Sequence, residues 1–148
     1  MHQRLLTVIF FFVVGGCHGH GHNGHDAKRP ENLNPVQHEM QLLTTALEGA
    51  VKHIALGELP KIEHGLHAVH GAREQTEAAL RDGTYRPPKN ADHVAKFFEL
   101  DKAFHATLEE LAHAAAKNDY DATVAHFSLA MRGCRECHEM FKPEGAAP

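Results

Sequence analysis

The segment DATVAHFSLAMRGCRECHEMFK, residues 121–142, indicates most clearly which fold the chain adopts. Its apolar positions recur at alternating spacings of three and four, which is the repeat of one face of an α-helix. No alternating β-branched run, typical of a strand, competes with this pattern. The pattern predicts a helix from about Asp121 to Lys142 whose buried side carries Val124, Phe127, Met131, Cys134, His138 and Phe141.

Three more helices are predicted upstream of this segment. The first begins at Asn34–Pro35, because Asn caps a helix and proline fits its first turn, and it ends at Gly57. The second is expected over about residues 61–81 and the third over about residues 91–117, with turn-forming residues after each. The expected buried positions are Val36, Met40, Leu43, Leu47, Val51 and Ile54 in the first helix, Ile62, Leu66, Val69, Thr76 and Leu80 in the second, and Val94, Phe97, Phe104, Leu108 and Leu111 in the third.

Four helices of roughly 20–27 residues with short connections predict an all-α fold, an antiparallel up-down-up-down four-helix bundle. Residues 35–148 would form this one domain, since 148 residues of which 43% are hydrophobic suit a single core. The chain has 15 Lys+Arg against 19 Asp+Glu. This acidic balance argues against a nucleic-acid partner, which requires a basic surface.

Residues 1–16 have the pattern of a secretory signal peptide: a basic start, an apolar stretch from Leu5 to Val14, and two glycines. Such a stretch makes only about 15 Å of helix, half of a bilayer core, which disfavours a spanning helix. Val14-Gly15-Gly16-Cys17 resembles the lipobox of bacterial lipoproteins, which implies lipidation of Cys17. The alternative is ordinary cleavage that leaves Cys17 as a free thiol. The expected location is the periplasm, with the lipid anchoring the chain to a bacterial membrane.

Residues 17–34 are rich in Gly, His, Asn and Pro and predict a flexible tether. Imidazoles spaced this closely can bind Zn, Cu or Ni ions. The alternative is a solvated spacer without a ligand. The histidines of this candidate metal site are His18, His20, His22 and His25.

The motif Cys134-Arg135-Glu136-Cys137-His138 is the attachment signature of c-type haem. Thiols three residues apart lie on one side of a helix and can bond the two vinyl groups of the porphyrin, while the next histidine ligates the iron. Export favours this interpretation, because haem c is attached outside the cytoplasm. Two alternatives stay open: a redox-active dithiol, and a structural disulfide or a zinc site that recruits either His64 and His67 or His67 and His70.

A four-helix bundle with C-x-x-C-H near its C-terminus resembles the class II cytochromes c, the cytochrome c′ and cytochrome c556 family. The segment from Ala114 to Lys142 is similar to the closing helix of that family, with Phe141 and Lys142 at its aromatic and basic positions. The resemblance covers about residues 34–142. It implies one covalent haem c held by Cys134, Cys137 and His138, with Lys142 near this proximal histidine.

Members of that family differ in the residue that faces the iron opposite the proximal histidine. The c556-like members place a methionine there, and Gln37-His38-Glu39-Met40 matches their Gln and Met, although Val36 stands where the family has an arginine. Met40 and His138 each lie about 6 Å from a helix end, so antiparallel packing would bring them to one level. Met40 is therefore the candidate distal ligand. His38 points about 200° away from Met40 and is expected at the surface, while Phe97 is expected beside the haem or in the core.

These features predict an exported c-type cytochrome, not an enzyme, that passes single electrons to redox partner proteins through low-spin His/Met iron. One alternative is a five-coordinate, cytochrome c′-like protein that binds NO or CO; the resemblance also implies a homodimer for such members. Another alternative is a haem-free metal-binding lipoprotein. The remaining histidines mostly fall off the apolar faces and are expected to be exposed: His53, His64, His67, His70, His93, His105, His113 and His126.

Overall fold

The computed structural model describes residues 28–143 and residue 145, and this part of the chain is helical without strands. The predicted all-α class is confirmed. None of the helices in these residues is long and apolar enough to cross a membrane. The predicted signal peptide, Cys17 and the tether histidines His18, His20, His22 and His25 lie outside the described residues. The helices are α1 (Pro35–Leu56), α2 (Ile62–His67), α3 (His70–Asp82), α4 (Val94–Ala116) and α5 (Tyr120–Phe141), with a short 3₁₀ turn over Leu59–Lys61.

Side-chain caps fix the starts of α1 and α5. The Asn34 side chain accepts a hydrogen bond from the Gln37 N–H at 2.9 Å, and the Gln37 side chain accepts one from the Asn34 N–H at 3.1 Å. This reciprocal capping box satisfies two amide groups that a helix start leaves unpaired. Asp119 caps α5 through a single bond, its side chain accepting from the Ala122 N–H at 3.0 Å. The helix starts predicted near these residues are confirmed to within one position.

The single helix predicted over residues 61–81 is wrong in its continuity. The chain forms α2 and α3 with a tighter turn between them, where the Val69 N–H bonds the Leu66 carbonyl only three residues back. Gly65 and Gly71 flank this turn, and glycine is a weak helix former. The tighter turn keeps Val69 buried. The expected buried positions of this region are nevertheless all buried: Ile62, Leu66, Val69, Thr76 and Leu80.

The loop between α3 and α4 delays the start of α4 and holds the end of α5. Asn90 has a left-handed backbone, with φ of 55°, and its side-chain amide donates to the Met140 carbonyl at 2.7 Å. Lys89 donates to the Glu139 carbonyl at 2.9 Å. Because the loop takes this path, α4 begins at Val94 and not at the predicted residue 91. The last turn of α5 gains partners for carbonyls that a helix end leaves unpaired.

The interior consists of two apolar groups. The main core combines α1, the 3₁₀ turn, α2, α4 and α5, and its most buried members include Ala50, Leu111 and Ala130. The second group, here called the end cluster, consists of Leu80, Phe97 and Phe141. The rings of Phe97 and Phe141 are centred 5.1 Å apart, close enough for the favourable tilted arrangement of aromatic pairs. The end cluster therefore joins α3, α4 and α5.

Small residues allow α4 and α5 to pack closely. Thr123 and Ala130 of α5 are completely buried. A Cβ atom on Gly133 would come within 3.0 Å of the Phe104 ring of α4, so this position has little room for a side chain. In contrast to this pair, α1 and α5 touch each other only sparsely. The space between α1 and α5 is where the candidate site lies.

Candidate functional site

An open cleft of about 910 Å³ separates α1 from α5. Its volume lies in the upper part of the range that small-molecule and cofactor sites occupy. Four residues of α1 at helical spacing form one side, and α5 forms most of the other. The α1 side is Thr44, Leu47, Glu48 and Val51; the α5 side is Phe127, Met131, Cys134, Arg135, His138 and Glu139, with Lys89, Lys142, Pro143 and Gly145 completing the lining.

Two of the three chemically active residues of the C-x-x-C-H motif line this cleft. Cys134 and His138 are four residues apart on α5 and therefore share a face of the helix. Cys137 lies to one side of that face, half-buried, and packs against the end cluster. Both thiols are free cysteines. The motif thus spans one wall of the cleft and its border with the end cluster.

The surroundings of the motif favour the uncharged form of all three groups. Burial raises the pKa of the Cys134 thiol. Burial, followed by the negative charge of Asp101, raises the pKa of Cys137 to about 11. Burial and the nearby Lys142 ammonium lower the pKa of His138. A neutral imidazole has a free lone pair, which is the form that ligates a metal.

The walls of the cleft expose apolar side chains that the sequence pattern predicts to be buried. Val51 is 53% exposed and Met131 is 47% exposed. The prediction of burial is wrong for these two, for Val124 and for His138, which is also exposed, because α1 and α5 do not close on each other along this face. Water therefore contacts apolar area on both walls, which is a feature of binding grooves.

Charged groups surround the C-terminal half of the α5 wall. Arg135 pairs with Glu139 at 2.6 Å, one helical turn away. Lys89 reaches the same turn from the α3–α4 loop, and Lys142 follows at the end of α5. The cleft consequently has an apolar interior and, at this end, the ammonium groups of Lys89 and Lys142, which suit a ligand with carboxylate groups, while Glu139 balances the charge of Arg135.

The three other residues predicted around the site are distributed as follows. Lys142 lines the cleft and affects His138 through its charge. Phe97 is buried in the end cluster, on the side of α5 where Cys137 lies. Met40 is half-buried against the main core, one turn before Thr44, and the described residues that line the cleft do not include it.

A buried group of ionisable residues lies between α1 and α4, and sequence reasoning missed it. His105 Nε2 is 2.9 Å from Glu39 Oε1 and 3.5 Å from Asp101 Oδ1. Glu39 is 1% exposed and His105 4%, so the expectation that His105 is solvated is wrong. Burial raises the pKa of Asp101. The charge of His105 lowers this pKa, and the charge of Glu39 raises it further. The signal was present as the i, i+4 pair of Asp101 and His105, but the same spacing is common on exposed helix faces.

His38 is also buried, at 4% exposure, whereas its position on the helix predicts a surface residue. Its neighbour Glu39 is buried too, and Met40 is half-buried. Three successive residues point in different directions around a helix, so the first turns of α1 are covered on more than one side. The prediction that α1 has only one buried face is therefore wrong for its first turns. The exposed histidines among those predicted to be solvated are His64, His67, His70, His93 and His113, while His53 and His126 are half-buried.

No protein-family model, curated protein or solved structure matches this chain. The function of the cleft therefore has to be inferred from its own side chains and from the motif that lies in it.

Proposed function

We propose that the chain is an exported c-type cytochrome that holds one haem c in the cleft between α1 and α5 and transfers single electrons. The observation that carries this proposal is that Cys134 and His138 of the C-x-x-C-H motif line a cleft of about 910 Å³ with exposed apolar walls. A flat apolar ring would cover Val51 and Met131, whose exposure is otherwise unfavourable.

Each cysteine of the motif would add its S–H bond across one vinyl group of the haem. Sulfur bonds to one vinyl carbon and the proton goes to the other, so the addition requires no oxidant. The raised pKa values of Cys134 and Cys137 agree with thiols that stay protonated until they react. His138, kept neutral by burial and by Lys142, would ligate the iron.

The remaining residues of the cleft would orient the group and exclude water from it. When bound, haem supplies an iron that changes between ferric and ferrous states. Leu47, Val51 and Phe127 provide apolar contacts for the ring, and such burial favours the less charged ferrous form. Lys89 and Lys142 are available to its carboxylates, a role that the family resemblance gives to an arginine at the position of Val36.

Met40 is the proposed sixth ligand, from its match to the c556-like pattern Gln37-x-x-Met40. One observation favours a second candidate function, a five-coordinate haem that binds NO or CO. The described residues that line the cleft start on α1 at Thr44, one turn after Met40. The two candidates share the covalent haem and differ only in whether Met40 reaches the iron.

The arrangement of the helices and the location of the protein belong to the same proposal. We propose that α1, the α2–α3 pair, α4 and α5 form an antiparallel up-down-up-down bundle, with which the contacts of α4 with α5 and of α1 with α3 are compatible. The predicted leader, lipidation of Cys17 and the tether would hold the domain at the periplasmic surface of a membrane, where it meets redox partner proteins.

The experiment is to express the full chain with its own leader in a bacterium that attaches haem c in the periplasm. We expect haem to stay with the polypeptide on a denaturing gel. It should do so in the Cys17→Ser variant as well, and should be lost from the Cys134→Ser/Cys137→Ser double variant. Periplasmic protein without haem would contradict the proposal and leave the metal-binding lipoprotein as the better explanation.

The optical spectrum of the ferric protein separates the two haem functions. Ligation by Met40 predicts a low-spin spectrum with a near-infrared thioether band, converted to high-spin by Met40→Ala but not by the control Met140→Ala. A wild-type spectrum that is already high-spin would favour NO or CO binding over electron transfer.

A further inference from the structure

The buried residues Glu39, Asp101 and His105 bring three metal-ligating atoms together in the interior, apart from the cleft. One nitrogen and two carboxylate oxygens, one from each residue, all lie within 4.8 Å of one another. The three side chains come from two helices, α1 and α4, so the fold and not a local turn assembles them.

A second observation shows that this group lacks a partner. Glu39 Oε2 is buried, and it has no hydrogen-bond partner among the described residues. An unpaired buried carboxylate oxygen costs more free energy than an ordinary polar atom, because its charge is removed from water. The pairing of Oε1 with His105 therefore satisfies only half of this carboxylate.

The charges around the group are unbalanced in the negative direction. Arg73 lies 3.4 Å from Asp101 Oδ2 and 3.1 Å from Glu77 Oε1. Glu77 also pairs with Arg81 at 3.1 Å, so the two arginines balance two of the three carboxylates Glu39, Asp101 and Glu77. One negative charge is left when His105 is neutral. A bound cation would compensate this charge.

We propose that Glu39, Asp101 and His105 bind one divalent transition-metal ion, at a site separate from the haem iron. One imidazole nitrogen with two carboxylates is a mixed hard and borderline ligand set that suits Zn²⁺, Mn²⁺ or Fe²⁺ better than it suits Ca²⁺ or Cu⁺. Arg73 holds Asp101 by Oδ2 and leaves Oδ1 toward His105, as outer-shell partners do for metal ligands.

A narrow cleft between α2 and α4 reaches His105, one of the three proposed ligands. The cleft has a volume of about 140 Å³, and His105 is one of its lining residues. Exposed His67, His70 and His113 also line it, so an arriving cation meets other imidazoles before His105. A metal site needs such a path in addition to its ligands.

Zn²⁺ binding to the mature, haem-loaded full chain tests this proposal. Bound zinc is counted by equilibrium dialysis and elemental analysis in a background where His18, His20, His22 and His25 are alanine. We expect one zinc per chain in this background. Loss of an outer-shell partner typically weakens metal binding by roughly 10- to 100-fold. Glu39→Gln and Asp101→Asn each remove a direct ligand, so each should weaken zinc binding by at least that much. Glu110→Gln, which removes an exposed carboxylate of α4 outside both clefts, should leave binding unchanged.

X-ray absorption at the zinc edge provides a measurement that needs no ligand variant. We expect nitrogen and oxygen neighbours at about 2.0–2.2 Å and no sulfur at about 2.3 Å. Equal zinc binding by the parent, Glu39→Gln and Asp101→Asn proteins would overturn the proposal, as would a sulfur shell. Absence of bound zinc in the folded parent would show that the group is only a hydrogen-bonded acid–histidine pair.

Discussion

Cys137 has the most strongly perturbed thiol of the described residues, because burial and neighbouring carboxylates both disfavour its thiolate. In haem-free protein its pKa of about 11 predicts that alkylation by iodoacetamide keeps accelerating, about tenfold per pH unit, from pH 8 to 10. The rate at each pH is measured by mass spectrometry of the Cys137 peptide. In the urea-unfolded chain the rate should level off near pH 9, and levelling in the folded chain at that pH would contradict the prediction.

The raised pKa of Cys137 also predicts how the stability of the fold changes with pH. The pKa of Cys137 is higher in the folded state than in the unfolded state, so ionisation favours unfolding. Haem-free protein should therefore lose stability as the pH rises from about 9 toward 11, and this contribution should be absent below pH 8. A Cys137→Ala variant should show a smaller loss over that window in urea unfolding.

His105 and Glu39 form a pair in which each residue is costly to bury alone. Replacing His105 by alanine leaves the Glu39 carboxylate in the interior without its hydrogen bond. We expect His105→Ala to lower the free energy of unfolding in urea by about 3–5 kcal/mol. His113→Ala, which truncates an exposed histidine of the same helix, should change it by less than about 0.5 kcal/mol. If His105→Ala and His113→Ala both lowered the free energy of unfolding by a similarly small amount, the His105–Glu39 pair would not stabilise the fold.

The burial of some single residues can be predicted from the sequence, and that of others cannot. Apolar periodicity identifies Leu43, Leu108 and Leu111 as buried because hydrophobic side chains gain free energy in the interior. It cannot identify Glu39 or His105, because their burial depends on a partner from another helix. Cys134 and His138 were predictable from their motif, whose spacing has a chemical reason independent of burial.

At the level of the elements, the capping box at Asn34 determines where α1 begins. Asn34→Ala removes the side-chain oxygen that accepts from the Gln37 N–H and leaves the backbone N–H that donates to the Gln37 side chain. We expect a loss of about 1 kcal/mol in the free energy of unfolding, typical of helix caps. Asn32→Ala is the matched control, since Asn32 is exposed two residues earlier. An equal effect of the two substitutions would show that the capping bonds contribute nothing specific.

The α3–α4 loop stabilises the turn of α5 that carries His138. Asn90→Asp replaces the amide that donates to the Met140 carbonyl with a carboxylate, which cannot donate, while both residue types tolerate a left-handed backbone. We expect faster amide hydrogen exchange in residues 138–142 and unchanged exchange in the middle of α4. Exchange that stays the same at the end of α5 would contradict this role of the loop.

Local signals predict some element boundaries well and others poorly. Asn34, Gly57 and Asp119 act within their own turn of chain, so the ends they define can be found from sequence. The break between α2 and α3 conserves the buried face of the region, and periodicity therefore cannot reveal it. The delayed start of α4 depends on bonds between residues about 50 positions apart, Asn90 with Met140 and Lys89 with Glu139.

For the molecule as a whole, the open cleft predicts that the proposed haem would contribute to stability. The Cys134→Ser/Cys137→Ser protein should bind the dye ANS at the apolar cleft walls and unfold at a lower temperature than the haem-loaded wild type. ANS fluorescence and thermal melting measure the two effects. A double variant that melts at the wild-type temperature and does not bind the dye would contradict a cofactor that covers these walls.

The helical class follows from the sequence, but the cleft does not. Val51 and Met131 fit the apolar periodicity of α1 and α5, which predicts them to meet inside a closed core. Periodicity reports which face is apolar and not whether protein or a ligand covers it. Only the positions of the two helices reveal the gap between them.

The close packing of α5 against α4 through Thr123, Ala130 and Gly133 has an evolutionary consequence. The side of α5 that supports the fold differs from the side that bears Met131, Cys134 and His138. Substitutions of the exposed cleft residues Met131 and His138 therefore carry little penalty in foldability. Evolution can therefore change the residues that line the cleft one at a time. The opposite side of the helix stays under purifying selection because it packs against α4.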